Sequence, residues 1–300
     1  MEKIPVLVLF IITLLANPVA GITRTYFSKN VSQTVAGYHL FNAVSSLVCG
    51  MTLMVLSGGD FRLSGYTLLM AVLFGLITAA QQLITSAALS VGPWSYTTVI
   101  ISMSTVITAL SGALFFNESI RVTQIIGIVM MLGCLILSVK KEEGEQKKKT
   151  IRWFFLCILA CLCCGGVGIM QKIHQSSAHR EELTMFLVIA FICSFVFSTG
   201  SIAVQRWGKN GKREPFIEKK TGAILLAVLF VAGGVGTALI NQINLYLSGV
   251  VDSAIFFPIV NGGGLIMVTV LSLVIFKERL TKRQWAGMAL GVAATLLLCL

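Results

Sequence analysis

The 300-residue chain is 56% hydrophobic and only 12% charged. Soluble globular domains run at roughly 45–50% apolar and about 25% charged, so this composition excludes an ordinary cytosolic enzyme, a disordered chain and a disulfide-stapled secreted domain. The formal net charge of +11, from 23 Lys plus Arg against 12 Asp plus Glu, comes without any RNA- or DNA-binding signature, so nucleic acid is not an expected partner. In a membrane protein such basic residues collect in loops and report topology.

A tilted membrane helix needs about 20 apolar residues, and runs near that length recur ten times. In chain order they cover 4–23, 34–56, 66–89, 95–116 and 122–139, then 151–170, 183–204, 222–247, 251–276 and 285–300. Helices are the one open-ended way to satisfy backbone polar groups in lipid. The first run has a minimal basic start at Lys3, is interrupted by Asn17-Pro18, and lacks a small-residue cleavage site before Arg24 and Tyr26. It is read as a retained helix rather than a signal peptide. The charged run KKEEGEQKKK then divides the chain into 1–139, a linker loop at 140–150, and 151–300, with five spans on each side.

Sliding the chain against itself by 160 residues aligns Phe116, Glu118, Gln124 and Gly127 with Phe276, Glu278, Gln284 and Gly287. The same offset places Gln81-Gln82-Leu83 on Asn241-Gln242-Ile243. Glu118 and Glu278 each fall between two predicted helices, where a carboxylate meets free N–H groups and the positive end of a helix dipole. Gln124 with Gly127, and Gln284 with Gly287, share one helix face, and the glycine permits close packing. These six residues are read as a structural corner. Five spans per repeat is an odd number, so the second half enters the membrane from the opposite side. The expected fold is an all-α polytopic membrane protein of ten transmembrane helices, arranged as two inverted five-helix repeats. Secondary transporters of this type carry their site near the midplane.

The two copies of the corner, Phe116-Asn117-Glu118-Ser119 and Phe276-Lys277-Glu278-Arg279, each followed by Gln-x-x-Gly, resemble the EamA-like drug/metabolite transporter superfamily. Members typically have Gly-Glu-Arg at this corner; here Asn117 and Lys277 replace the glycine, and only the second copy keeps Glu-Arg. The resemblance implies a transporter of small organic molecules such as amino acids, other metabolites or drugs, in a bacterial plasma membrane, with export as the expected direction and no cofactor.

Polar side chains at midspan are costly and mark candidate sites. Asn17 precedes a helix-interrupting proline; Tyr38 and Asn42 share a face of the second span; Gln81 and Gln82 lie near the centre of the third, with Thr78 and Thr85 a turn away. Their repeat counterparts Asn241 and Gln242 have Asn244 and Tyr246 nearby. Amides of this kind either bridge helices or present donors and acceptors to a solute. In the ninth span, Pro258, Asn261 and Gly262 to Gly264 combine a kink, an amide and three glycines. They suggest either close packing or a locally opened helix that meets substrate. The hydroxyl-rich fourth span, with Thr97, Thr98, Ser102, Ser104 and Thr105, is expected to line the opposite wall.

Acidic residues fall in loops or at span ends, Asp252 being the deepest, so no midspan carboxylate is available as a protonation switch. His39 and His174 are the titratable groups left for proton coupling, unless they are interfacial, and uniport is an open alternative. Cys157, Cys161, Cys163 and Cys164 lack a CxxC pair and a facing His, and are read as small hydrophobes with no metal. No nucleophile–base pair, P-loop or HExxH is present, so no enzymatic activity is expected. Eighteen Lys and Arg fall in one set of alternating loops and five in the other. The positive-inside rule thereby places both termini outside, whereas the family resemblance implies cytoplasmic termini. Spans 5 and 10 are apolar enough to sit at the periphery, as a monomer or as the seam of a homodimer. The rival to a transporter is a receptor or assembly protein that binds a small ligand without moving it.

Overall fold

The structure, a computed structural model, describes residues 5–59, 61–115, 121–123, 125–127, 129–130, 133, 144–208, 215–218, 221–251, 253–277 and 281–298. All regular structure among the described residues is helical. The elements are α1 (Val6–Tyr26), α2 (Val35–Leu56), α3 (Gly65–Val91), α4 (Trp94–Ser102), α5 (Ser104–Phe115), α6 (Gly144–Gln175), α7 (Leu183–Gly208), α8 (Ala223–Val250), α9 (Ser253–Ile275) and α10 (Lys282–Leu298). Described residues between 122 and 133 are helical as well. Among the described residues, seven segments are long and apolar enough to cross a bilayer.

Local chemistry accounts for the starts. Thr34 Oγ1 accepts the Gly37 N–H at 3.0 Å to cap α2, and Ser64 Oγ accepts the Thr67 N–H at 3.2 Å to cap α3. Pro93 precedes α4, where its fixed φ suits a helix entry. Three expectations shift here. The first span does not end at residue 23. It runs through Tyr26 into a π turn, Phe27–Val31, closed by Ser32 N–H to Phe27 O at 3.0 Å. Helix α6 begins at Gly144, inside the stretch expected to be a linker loop. The local opening that the ninth span suggested as the alternative to close packing falls in the fourth instead. There α4 and α5 part at Met103, whereas α9 stays helical across Pro258 and Gly262.

The two halves interlock. The most extensive packing runs between α2 and α7, α3 and α6, α3 and α7, α1 and α8, and α2 and α8. Exchanging each helix for its counterpart five spans away turns α3–α6 into α8–α1 and α3–α7 into α8–α2. It leaves α2–α7 unchanged. Loop contacts follow the same exchange. Glu218 accepts the Gln33 N–H at 2.6 Å beside the start of α2, while Glu182 accepts the Ser64 N–H at 2.9 Å and its hydroxyl at 2.8 Å at the start of α3.

Small residues bring these helices close, as expected where apolar burial does not drive association. A Cβ on Gly75 would lie 2.3 Å from the Ala190 carbonyl oxygen of α7, and one on Gly234 would lie 2.6 Å from Val48 Cβ of α2. Around that seam Leu53, Phe74, Phe186, Leu187 and Phe191 form a buried apolar core. A second cluster, with Leu9, Phe10, Phe256 and Val260, packs α1 against α8 and α9. Tyr96 and Ile100, the 160-residue counterparts of Phe256 and Val260, pack with Trp153 and Cys157 of α6.

Candidate functional site: a central polar cavity

Between α1, α3, α4, α6, α8 and α9 lies a cavity of about 300 Å³. Its wall comes from both halves. From α1 come Asn17, Gly21 and Arg24; from α3 Thr78, Gln81, Gln82 and Thr85; from α4 Thr97, Thr98 and Ser102; from α6 Cys164; from α8 Thr237, Asn241 and Asn244; and from α9 Gly264. Each helix contributes positions three or four apart, the spacing that puts side chains on one helical face. Close contact between α1 and α9 defines one corner, where a Cβ on Gly263 would lie 2.5 Å from Leu14 Cδ2 and one on Gly264 would lie 3.1 Å from Asn17 Nδ2. Gly263 and Gly264 therefore serve packing here. Trp94 lies against Gly21 in the same manner, at 2.7 Å from a built Cβ, and meets Phe276 edge-on at 5.4 Å between ring centroids.

The sequence-predicted residues divide clearly. Asn17, Gln81, Gln82, Thr98, Ser102 and Asn241 line the cavity. Asn42 does not: it is fully buried between α2 and α7, donating through Nδ2 to Ser198 Oγ at 2.6 Å and Ser194 Oγ at 3.2 Å. Tyr38 donates its hydroxyl to the Gln33 carbonyl at 2.8 Å, next to its own helix start. Gln242 turns to α7 and donates to Thr184 Oγ1 at 2.8 Å, and Tyr246 packs against the Leu9–Phe256 cluster. The side chains of Pro258, Asn261, Gly262 and Gln284 lie outside the described residues, as do Glu118, Gln124 and Glu278 altogether. Gly127 and Gly287 are buried on helices.

Neither histidine reaches the cavity. His39 packs against Phe197 beside a shallow apolar depression on α2, α3 and α7. The ring of His174 is buried, stacked on Phe186 at 4.3 Å, with Nε2 3.3 Å from Thr67 Oγ1.

Sequence reasoning missed Arg24. Hydropathy places it at the end of the first span, but the helix and its π turn carry the span to Val31. Arg24 therefore lies inside the membrane-spanning segment. Its Nη1 donates to the Gln82 main-chain oxygen at 3.0 Å and to Ser86 Oγ at 3.3 Å, and its Nη2 donates to Gln82 Oε1 at 2.9 Å. The Phe41 ring lies 5.4 Å from the guanidinium carbon. Among the described residues, no acidic residue lines the cavity and no group of three or more His, Cys, Asp or Glu is placed to hold a metal.

Two stretches, residues 7–140 and 151–300, each match the model of the EamA-like transporter family. The chain belongs to the EamA-like transporter family. As an EamA-like protein it is an integral membrane transporter of the drug/metabolite superfamily, built from two copies of the family unit. A solved chain described only as "Crystal structure of protein" aligns over 97% of this chain and 98% of its own length, with a TM-score of 0.65 at 13% identity. That likeness shows a shared fold. No curated protein matches the chain.

Proposed function

We propose that this EamA-like protein is a secondary transporter that exports a small organic metabolite by alternating access between two inverted repeats. The observation that carries the reading is the cavity among the spans, whose polar wall is drawn from both halves. The exchange-symmetric helix packing supports a two-fold relation between the repeats. Supporting inversion, Glu218 ties loops at the start of α2 and Glu182 ties loops at the start of α3, at opposite ends of consecutive spans. Among the described residues the cavity wall has no carboxylate to serve as a protonation switch, so we infer a carrier that runs downhill. For a metabolite made inside a bacterial cell, downhill is outward.

Counterflow in proteoliposomes tests the reading. Vesicles preloaded with an unlabelled metabolite extract are expected to accumulate labelled solute transiently from outside. Saturable binding without exchange would replace the transporter by a receptor. Concentrative uptake driven by an imposed proton gradient would overturn the uncoupled mechanism.

A further inference from the structure

We propose that Arg24 is the anion anchor of the cavity and that the transported solute is a small monocarboxylate. The inference rests on the transport reading above and adds to it the chemical class of the cargo. It begins from charge. An arginine inside a spanning segment costs several kcal/mol unless it is paired or hydrated, and Arg24 has no carboxylate partner among the described residues. Among the described residues the rest of the cavity wall is neutral, made of amides, hydroxyls, one thiol and apolar side chains. Those residues leave the positive charge of Arg24 uncompensated.

The way Arg24 is held sharpens this. Gln82 and Ser86 accept from Nη1 and Nη2, and among the described residues Nε has no hydrogen-bond acceptor. Nε–H with the neighbouring Nη2–H makes the side-on edge of a guanidinium, the fork that matches a carboxylate with two parallel hydrogen bonds. Phe41 lies by the guanidinium as a cation–π partner. Arginine is thus held by the protein on the cavity wall before any solute arrives. The charge balance selects among oxyanions. A phosphate monoester brings about −1.5 to −2 at neutral pH and would leave the cavity with surplus negative charge, whereas a carboxylate brings one charge. At about 300 Å³ the space stands at the lower end for small-molecule pockets, roughly 300–1,000 Å³, which suits a small solute. Beyond the anchor, Asn244 Oδ1 and Thr78 Oγ1 have no hydrogen-bond partner.

The test uses purified full-length protein in liposomes loaded with an equimolar mixture of small carboxylates, their primary amides, alkylamines and phosphate monoesters, with efflux followed by mass spectrometry. Carboxylates are expected to leave faster than their own amides, and Arg24→Gln to slow that class at least about tenfold. Because Arg24→Gln also empties the Gln82 acceptors, a second variant, Gln82→Glu, places a permanent counter-ion beside the intact arginine. It is expected to silence carboxylate efflux while melting near the wild-type temperature. Preferential efflux of amides, amines or phosphate monoesters, or unchanged carboxylate efflux in both variants, would overturn the proposal. If wild-type protein releases nothing from the mixture, the transport reading fails by itself, and thermal melts in detergent then decide the anion site. An Arg24-dependent rise in Tm with the carboxylates sustains the site, and no rise refutes it.

Discussion

Arg24 meets Gln82 twice, once at its main-chain oxygen at 3.0 Å and once at its side-chain Oε1 at 2.9 Å. A single glutamine on α3 thereby fixes both the position and the in-plane rotation of the one cation that the described residues place on the cavity wall.

Replacing that side-chain acceptor isolates its role. In Gln82→Leu the main-chain bond to Arg24 survives while Nη2 loses its partner. We expect a loss of about 1–3 kcal/mol in stability and a rise in transport KM of roughly tenfold, with the maximal rate nearly intact. A lowered melt with unchanged KM would assign Gln82 to packing.

The seam between α3 and α7 leaves no space at Gly75, where a Cβ would meet the Ala190 carbonyl at 2.3 Å. Gly75→Ala must push two backbones apart, a cost of about 1–3 kcal/mol. Unfolding titrations in mixed micelles are expected to show it. Gly200, inside α7 with nothing within 4 Å of a built Cβ, provides the control: its alanine variant should be at least as stable as wild type, by up to about 1 kcal/mol.

At the exit from α9, Lys277 adopts φ +49°. A left-handed backbone costs an L-residue roughly 1–2 kcal/mol, and related chains carry glycine at this corner by resemblance. Lys277→Gly is expected to stabilise by about 1 kcal/mol, after subtracting the unfolded-state entropy that glycine adds. Lys277→Ala should give no gain, and equal gains from both would point to the lost charge instead.

Cys164 offers a reporter of access, because it is the cysteine on the cavity wall. In a variant that keeps Cys164 alone, an anionic methanethiosulfonate should react, and solute should protect. Glu182→Ala removes the acceptor that ties Ser64 at one face, and Glu218→Ala removes the one that ties Gln33 at the other. The two substitutions should raise labelling from opposite sides of the membrane. A rise from the same side in both would contradict alternating access.

Much of this arrangement is readable in the residue pattern. The stripe Thr78, Gln81, Gln82, Thr85 and its distant partner Asn241 can be picked out because midspan amides at helical spacing have few other uses. The exceptions share a cause. Asn42 and Gln242 satisfy the same polarity rule, yet their amides reach serines and a threonine on α7, a choice set by which helices become neighbours. Gln82 and Gln242 even occupy equivalent repeat positions and diverge. Arg24 fails for the opposite reason: any hydropathy window closes at a charge, while the chain itself continues through a π turn that keeps the helix going to Val31. The interruption at Met103 was equally hidden, since no Pro or Gly marks it, whereas Pro258 and the glycines beyond it sit on an unbroken helix.

The interlocking of the halves bears on how the chain is made. Asn42 finds Ser194 and Ser198 only 152 and 156 residues later. At synthesis rates of about 5–20 residues per second, that polar side chain waits roughly 8–30 s in the bilayer or its insertion machinery before its partners emerge. The first half, whose own α2 and α3 touch sparingly compared with their grip on α6, α7 and α8, must survive that interval as a loose set of helices. The ribosome is thus the clock for assembly, and codon or chaperone changes that lengthen the pause between residues 56 and 183 act directly on the yield of folded protein.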